Sequence, residues 1–325
     1  MTESVYSSSK PLIVQKKASC TFEASSTWRK ILRQFPLKER CLEGNGFCLF
    51  YWEHFLSGRA ISSPFRDRLA LEWDGSTPPS NFEFQTLVAR IKSNDLVLKD
   101  VGFLLSKLPK YLPEIVCNYI NCEVILDGNI ENRLKRSARK NFRKACQGYG
   151  LKIVVNPDGI FEDFYDMYLT TRKRLGVLPY SKNFFRALFD FRSESVVVFA
   201  CNSSQGFLGY LICYLHGQEM ISGHLTYVFE EREKRISDFL FISAFNWGRS
   251  HGFSTYRFGA DNCNQVSLIK SKEKLGGTPR AQWDFSLKQK SISENHPNSP
   301  IRRVLRATPK SIFRHMGCLT SLYHS

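Results

Sequence analysis

Between residues 195 and 229 three apolar runs (195–201, 206–215 and 219–229) are separated only by the short stretches NSSQG and HGQ. Strands joined by turns this short must pair with their sequence neighbours, so the segment predicts an antiparallel meander. The flanking patterns extend it. Ahead lie a strand at 151–155 and a helix from about 160 to 175, with Phe161, Phe164, Met167, Tyr168 and Leu175 on one face. Glu162, Asp163 and Asp166 suit that helix's positive end, and Ser181 is placed to cap a second helix, KNFFRALFDF. After the meander, Ser237 or Asp238 is expected to start a helix, FLFISAFNWGRSH, that Gly252 ends. A strand at 255–258, a loop and helix reaching Leu275-Gly276-Gly277, and a last strand at 281–287 complete the order β-α-α-β-β-β-α-β-α-β. That order predicts a mixed α/β (α+β) fold, a mostly antiparallel sheet flanked by helices.

Immediately before this unit runs NIENRLKRSARKNFRKACQGY, residues 129–149. Ile130, Leu134, Ala138, Phe142 and Ala145 recur at spacings of three and four, which predicts one helix with a thin apolar seam. Around it Arg133, Lys135, Arg136, Arg139, Lys140, Arg143 and Lys144 put seven cations into twelve residues. Asn129 is the expected N-cap, and Gly148 or Gly150 the left-handed stop. A charge run of this kind is either a solvated connecting helix or a contact for phosphates.

The first half is less periodic. A helix TWRKILRQF capped by Ser25 or Ser26 places Trp28, Ile31, Leu32 and Phe35 on one face. Strands are expected at 47–55, 96–98 and 123–126, helices at 82–91 and 104–119, and a Ser/Pro/Gly-rich connection at 74–80. Residues 1–22 read as a disordered tail and 291–325 as a basic, partly apolar tail broken by Pro309.

A chain of 325 residues suggests two domains, and 42% hydrophobic residues, including 26 Phe, supply ample core. The formal net charge of +16 attracts anionic partners over a Debye length of about 8 Å. The 10 cysteines form no C-x-x-C pair or Cys/His cluster, which argues against zinc and for reduced thiols in a cytoplasm. No apolar run is long enough to span a bilayer.

Four stretches together resemble the FemAB-like branch of the GNAT acyltransferase superfamily, including the acetyltransferase-like proteins of the envelope and polysaccharide group. They are the R-x-x-R-K-x-x-R-K-A run at 136–145, FYDMYLTTRKRLGVLPYS at 164–181, HGFSTYRFGAD at 251–261, and K-x-K-x-G-G at 272–277. The resemblance implies a GNAT-like fold in tandem, with a reduced N-terminal domain at 23–128 and a complete one at 129–290. It implies transfer of an acyl or aminoacyl group from acyl-CoA or aminoacyl-tRNA, with no metal, to an amine on an envelope or polysaccharide precursor.

The residues that would carry this chemistry follow from the same resemblance. Lys272 matches the lysine placed near the reacting carbonyl and is the candidate oxyanion stabiliser, although the preceding residue, often aromatic in relatives, is Ser271. A solvated basic loop of Lys270, Lys272 and Lys274 is the competing reading. Asp261 either orients the amine, holds Lys272, or caps the next helix. His224 is a candidate proton acceptor or a structural histidine. The phosphate-binding turn R-x-x-G-x-G/A is replaced by EEREKRISDF, leaving Arg232, Lys234, Arg235 and Ser237 to meet donor phosphates. Arg136, Arg139, Lys140 and Arg143 fit tRNA or a phosphorylated, anionic acceptor. The basic C-terminal segment fits the surface of an anionic inner membrane. The alternatives are a nucleic-acid-binding protein or a catalytically silent scaffold on the same fold.

Overall fold

The computed structural model of the protein describes residues 20–33, 35, 37–44, 47–54, 59–62, 70–73, 89–91, 96–101, 115–286 and 299–319. Its meander consists of β8 (Val196–Ser203), β9 (Gly206–His216) and β10 (Glu219–Tyr227), antiparallel as expected. Val196, Val198, Tyr210, Ile212 and Ile221 enter one buried cluster. Their neighbours Val197, Phe199, Leu211, Cys213 and Met220 enter another. Both faces are therefore covered, which is why these strands read as continuous apolar runs rather than alternating ones.

One covering layer is α6 (Ile236–Ser250), which buries Leu240, Phe245 and Trp247, with α3 (Arg136–Arg143) beside it through Ala138. The opposite layer is aromatic: α4 (Phe161–Leu175) and α5 (Lys182–Asp190) contribute Phe164, Tyr168, Phe184 and Phe185. Ser181 caps α5 as expected, accepting from the amide of Phe184. The same layer takes in α1 (Ser26–Leu32), capped by Ser25; its Trp28 ring lies 5.7 Å from Tyr214 and 6.2 Å from Phe184. A helix from the start of the chain is thus part of the core of the second half.

The remaining strands continue the sheet. They are β1 (Leu37–Gly44), β2 (Phe47–His54), β3 (Ala60–Ile61), β5 (Leu96–Leu98), β13 (Thr278–Ser286), β6 (Ile115–Ile125), β11 (Thr255–Arg257) and, at the far edge, β7 (Lys152–Val155). Among the described residues the order is β1-β2-β3-β5-β13-β6-β11-β10-β9-β8-β7, with β4 (Leu71–Trp73) beside β2 and β12 (Asp261–Asn262) beside β6. Among the described strands only β10–β11 and β3–β5 pair in parallel. The mixed, mostly antiparallel sheet with helices on both faces is the fold expected from the sequence.

Several local expectations need correction. Residues 115–119 are strand, not helix, because β6 is held between β13 and β11–β12. The expected single basic helix is two: α2 (Ile130–Arg133) stops at Leu134, whose ψ of 135° is extended, and α3 follows. The amide of Lys135 is bonded instead to the carbonyl of Lys274, so a tertiary bond replaces a helical one. Asn129 does cap α2, and a wide turn, Lys144–Gly148, ends α3 before Gly150 at φ 62°. The helix α6 starts at Ile236, one residue before Ser237, on an Arg235 cap. Of the tail expected at 1–22, residues 20–22 are ordered: Cys20 bridges Glu72 and Phe22 is buried in the aromatic layer, because the chain here leads straight into α1. Residues 1–19, the connection at 74–80 and the helices expected at 82–88 and 104–114 lie outside the described residues.

The C-terminal segment folds into α8 (Pro300–Ala307) and α9 (Lys310–His315), separated at Pro309. Leu305 and Phe313 are buried in the aromatic layer. Gly176, left-handed at the end of α4, is where α8 comes closest: a Cβ there would lie 2.7 Å from the carbonyl oxygen of Arg302. Ile301, Val304 and Ile312 stay exposed. No helix among the described residues is long and apolar enough to cross a membrane.

Candidate active site

Strands β10 and β11 are paired only from Glu219–Thr255 to Ile221–Arg257. Beyond that point β10 passes through a bulge at Ser222 to His224 and stays paired with β9, while the other chain follows β6. The amide of Phe258 donates to the carbonyl of Cys122, and Asp261 pairs with Ile120. Two parallel neighbours that part in this way leave strand edges for another molecule to meet.

Lys272 stands on one side of this opening. It belongs to α7 (Val266–Lys274), and its Nζ lies 2.7 Å from Asp261 Oδ2. The ammonium also donates to the carbonyl of Gly259 and lies 5.5 Å from the centre of the Phe258 ring. Both partners of the pair are largely buried, with side chains 16% and 14% exposed. An ammonium has three N–H donors, so at least one has no protein acceptor among the described residues.

Asp261 therefore does not cap the next helix: that cap is Gln265, and Asp261 sits in β12, facing Lys272. Cys122, near enough to Lys272 to feel its charge, is pushed up to about 11, chiefly by burial, and is no thiolate nucleophile.

His224 is surrounded by Tyr180 at 5.2 Å, Phe185 at 4.9 Å, Phe184 at 5.8 Å and Tyr168 at 6.0 Å, ring centre to ring centre. Those rings belong to the α4–α5 layer, whereas Phe258 under Lys272 belongs to the α6 layer. The structure thus joins Lys272 with Asp261 and packs His224 within the other layer.

The turn before α6 is a short 3₁₀ segment, Phe229–Lys234, ending in Arg235 at φ 62°. Arginine there occupies a left-handed conformation that glycine adopts without strain. Lys234 lies 2.8 Å from Glu231, Arg235 lies 4.0 Å from Glu233, and Arg232 stacks on Phe229. Ser237, half-buried, is in the first turn of α6. Next to it the buried Asp238 takes Lys274 at 2.7 Å and the amide of Asn141 from α3. This contact joins α3, α6 and α7. Sequence reasoning missed it, since Asp238 reads there only as a helix start.

On α3, Arg136, Lys140 and Arg143 are exposed and have no acidic partner among the described residues; Arg139 donates to the carbonyl of Glu131 at 3.1 Å. Among the described residues no group of three or more His, Cys, Asp or Glu side chains is arranged to hold a metal.

Residues 129–264 match the family described as an acetyltransferase (GNAT) domain. No curated protein is similar to the chain at a significant level. Among solved structures, FemX aligns with a TM-score of 0.62 at 10% identity, covering 82% of this chain and 92% of FemX. L-PGS from Bacillus licheniformis aligns with a TM-score of 0.53 at 14% identity over 93% of this chain and 99% of that one. A C-terminal DUF2156 domain assigned to a lysylphosphatidylglycerol synthetase from Agrobacterium fabrum aligns with a TM-score of 0.52 at 13% identity, covering 81% and 88%. The match at 129–264 includes α2, α3, the meander, α6 and Asp261. Residues 129–264 are thus similar to the acetyltransferase (GNAT) domain family, and the chain shares the fold of FemX.

Proposed function

We propose that the protein transfers an acyl or aminoacyl group from acyl-CoA or aminoacyl-tRNA to an amine on a cell-envelope or polysaccharide precursor. The observation that carries this reading is the Lys272–Asp261 pair beside the parted strands, an ammonium held in place with a donor to spare. In the proposed reaction the amine attacks the donor carbonyl and a C–N bond forms. Charge gathers on the carbonyl oxygen, where Lys272 stabilises it. Collapse then breaks the C–S bond of a thioester or the C–O bond of an aminoacyl ester, the leaving group gaining a proton as the amine loses one. Asp261 fixes the ammonium, and His224 on the parted stretch of β10 is the proposed proton acceptor. Residues 23–128 act in this reading as a reduced partner of the domain at 129–290.

The unpaired cations of α3 support tRNA or a phosphorylated acceptor as partner, and the likeness in fold to a lysylphosphatidylglycerol synthetase domain supports envelope chemistry. The exposed Ile301, Val304 and Ile312, interleaved with arginines, support peripheral contact with an anionic membrane from the cytoplasmic side. Turnover with acetyl-CoA and with charged tRNA, compared between the wild type and Lys272→Ala, tests the reading. Turnover of either donor that depends on Lys272 is expected; rates unaffected by the substitution would remove the site assignment.

A further inference from the structure

Lys272 and Lys274 lie two residues apart on α7, which at 3.6 residues per turn places them about 200° apart around the helix. One reaches Asp261 in β12 and the other Asp238 in α6, each at 2.7 Å. The last turn of α7 is therefore held from both sides. If the Asp238 contact is lost the turn can roll about its axis, and the Lys272 ammonium moves with it.

Further contacts meet at the same turn. The carbonyl of Lys272 accepts the amides of Leu275 and Gly277, both at 3.0 Å, and Leu275 is buried in the α6 layer. A Cβ at Gly277 would lie 2.9 Å from that carbonyl oxygen, so the chain returns onto the backbone of Lys272 too closely for a side chain. Gly276, at φ 85°, sits against Arg133 at the end of α2, where a Cβ would be 3.2 Å from the carbonyl oxygen. The carbonyl of Lys274 takes the amide of Lys135 at the break between α2 and α3, at 3.0 Å. Its ammonium shares the carboxylate of Asp238 with Asn141 of α3. Two other lysine pairs have the same 2.7 Å length, Lys182 with Glu162 and Lys310 with Asp166, but their carboxylates are exposed and the pairs add little rigidity. The Asp238 side chain is only 10% exposed, so its charge depends on the partners it holds.

We propose that Asp238 and Lys274 are positioning residues of the transfer reaction: they set the rotation of α7 and, through it, the place of the Lys272 ammonium beside the parted strands. The proposal rests on the transferase reading and adds to it two residues that act only through Lys272. A misplacement of about 1 Å at a catalytic group can cost roughly 100-fold in rate, so losing the brace lowers the rate while the rest of the fold stands.

Hydrogen exchange of the full chain, read over residues 270–278, and steady-state turnover of acetyl-CoA and of charged tRNA test it in wild type, Lys274→Met, Lys274→Arg and Asp238→Asn. Lys182→Met, which removes an equally close lysine pair at the start of α5, is the control. In Lys274→Met and Asp238→Asn the amides of Leu275 and Gly277 are expected to exchange about tenfold faster or more, with a smaller rise in β8–β10. The value of kcat is expected to fall about tenfold or more, with the donor KM within about twofold of wild type. Lys274→Arg, which keeps a cation for Asp238, restores both to within about threefold, and the control changes neither by more than about twofold. In a Lys272→Ala background, Lys274→Met lowers kcat by no more than about a further twofold, because nothing is left to position. Unchanged exchange at Leu275 and Gly277, an equal rise throughout β8–β10, or a fall in kcat as large in the Lys272→Ala background as in wild type would overturn the proposal. Faster local exchange in a protein that turns over neither donor removes only the transferase reading.

Discussion

Helices α3 and α7 both meet the start of α6 at Asp238, and they hold their cations in opposite ways. On α7, Lys272 and Lys274 are fixed by Asp261 and Asp238, each at 2.7 Å. On α3, Arg136, Lys140 and Arg143 point into solvent with no acidic partner among the described residues. Paired and partly buried cations have a defined position, which catalysis needs; exposed ones offer charge and reach, which suffices for a phosphate backbone. Net charge alone would have treated the two helices alike.

Substitutions can break this contrast. The largest effect is expected from Lys272→Ala, which removes a fixed donor and should lower kcat by about 100-fold to 1,000-fold while the circular dichroism spectrum is retained. A rate within about threefold of wild type would make Lys272 as dispensable as a surface lysine. For His224→Gln a fall of about 100-fold is expected in kcat if the imidazole takes the amine proton. Retained activity with a lower melting temperature would instead reduce it to a member of the aromatic layer. Asp238→Ala leaves Lys274 and Asn141 without their common acceptor, and should destabilise the fold by about 1–3 kcal/mol in chemical denaturation. The combined Arg136→Ala, Lys140→Ala, Arg143→Ala variant should sit at the other extreme. Its stability should stay within about 0.5 kcal/mol of wild type, while its affinity for tRNA falls and the salt slope shrinks by roughly one for each phosphate no longer neutralised. A large drop in stability there would show that α3 holds its cations for the fold.

The parts of the fold that are legible in the sequence have strong local signals. The meander follows from apolar runs with turns too short for anything else, and α4 and α5 from their periodic aromatic faces and the Ser181 cap. Over 115–119, β6 reads as helix because a central strand flanked by partners on both sides shows no clean alternation, and Asn118 and Asn121 interrupt its apolar pattern. The break at Leu134 is invisible because the seam Ile130, Leu134, Ala138 is as regular in two helices as in one; what ends α2 is the carbonyl of Lys274, far along the chain. At the site, Lys272 and Asp261 are found by resemblance, and their mutual contact is among the options. Asp238 as a junction depends on elements distant in sequence, and no local spacing signals it.

The place of β13 in the sheet has a consequence for how the chain comes to be folded. This strand, ending at Ser286, lies between β5 and β6, which precede it by more than 150 residues. During synthesis both neighbours emerge long before the piece that joins them, so each waits with an open edge. The nascent chain can complete its meander and α6 early, since these are local. The seam between the early strands and the rest closes only once β13 has emerged. Non-local pairing of this kind slows folding and exposes edges to other chains, which makes the ribosome-bound protein a natural client for chaperones.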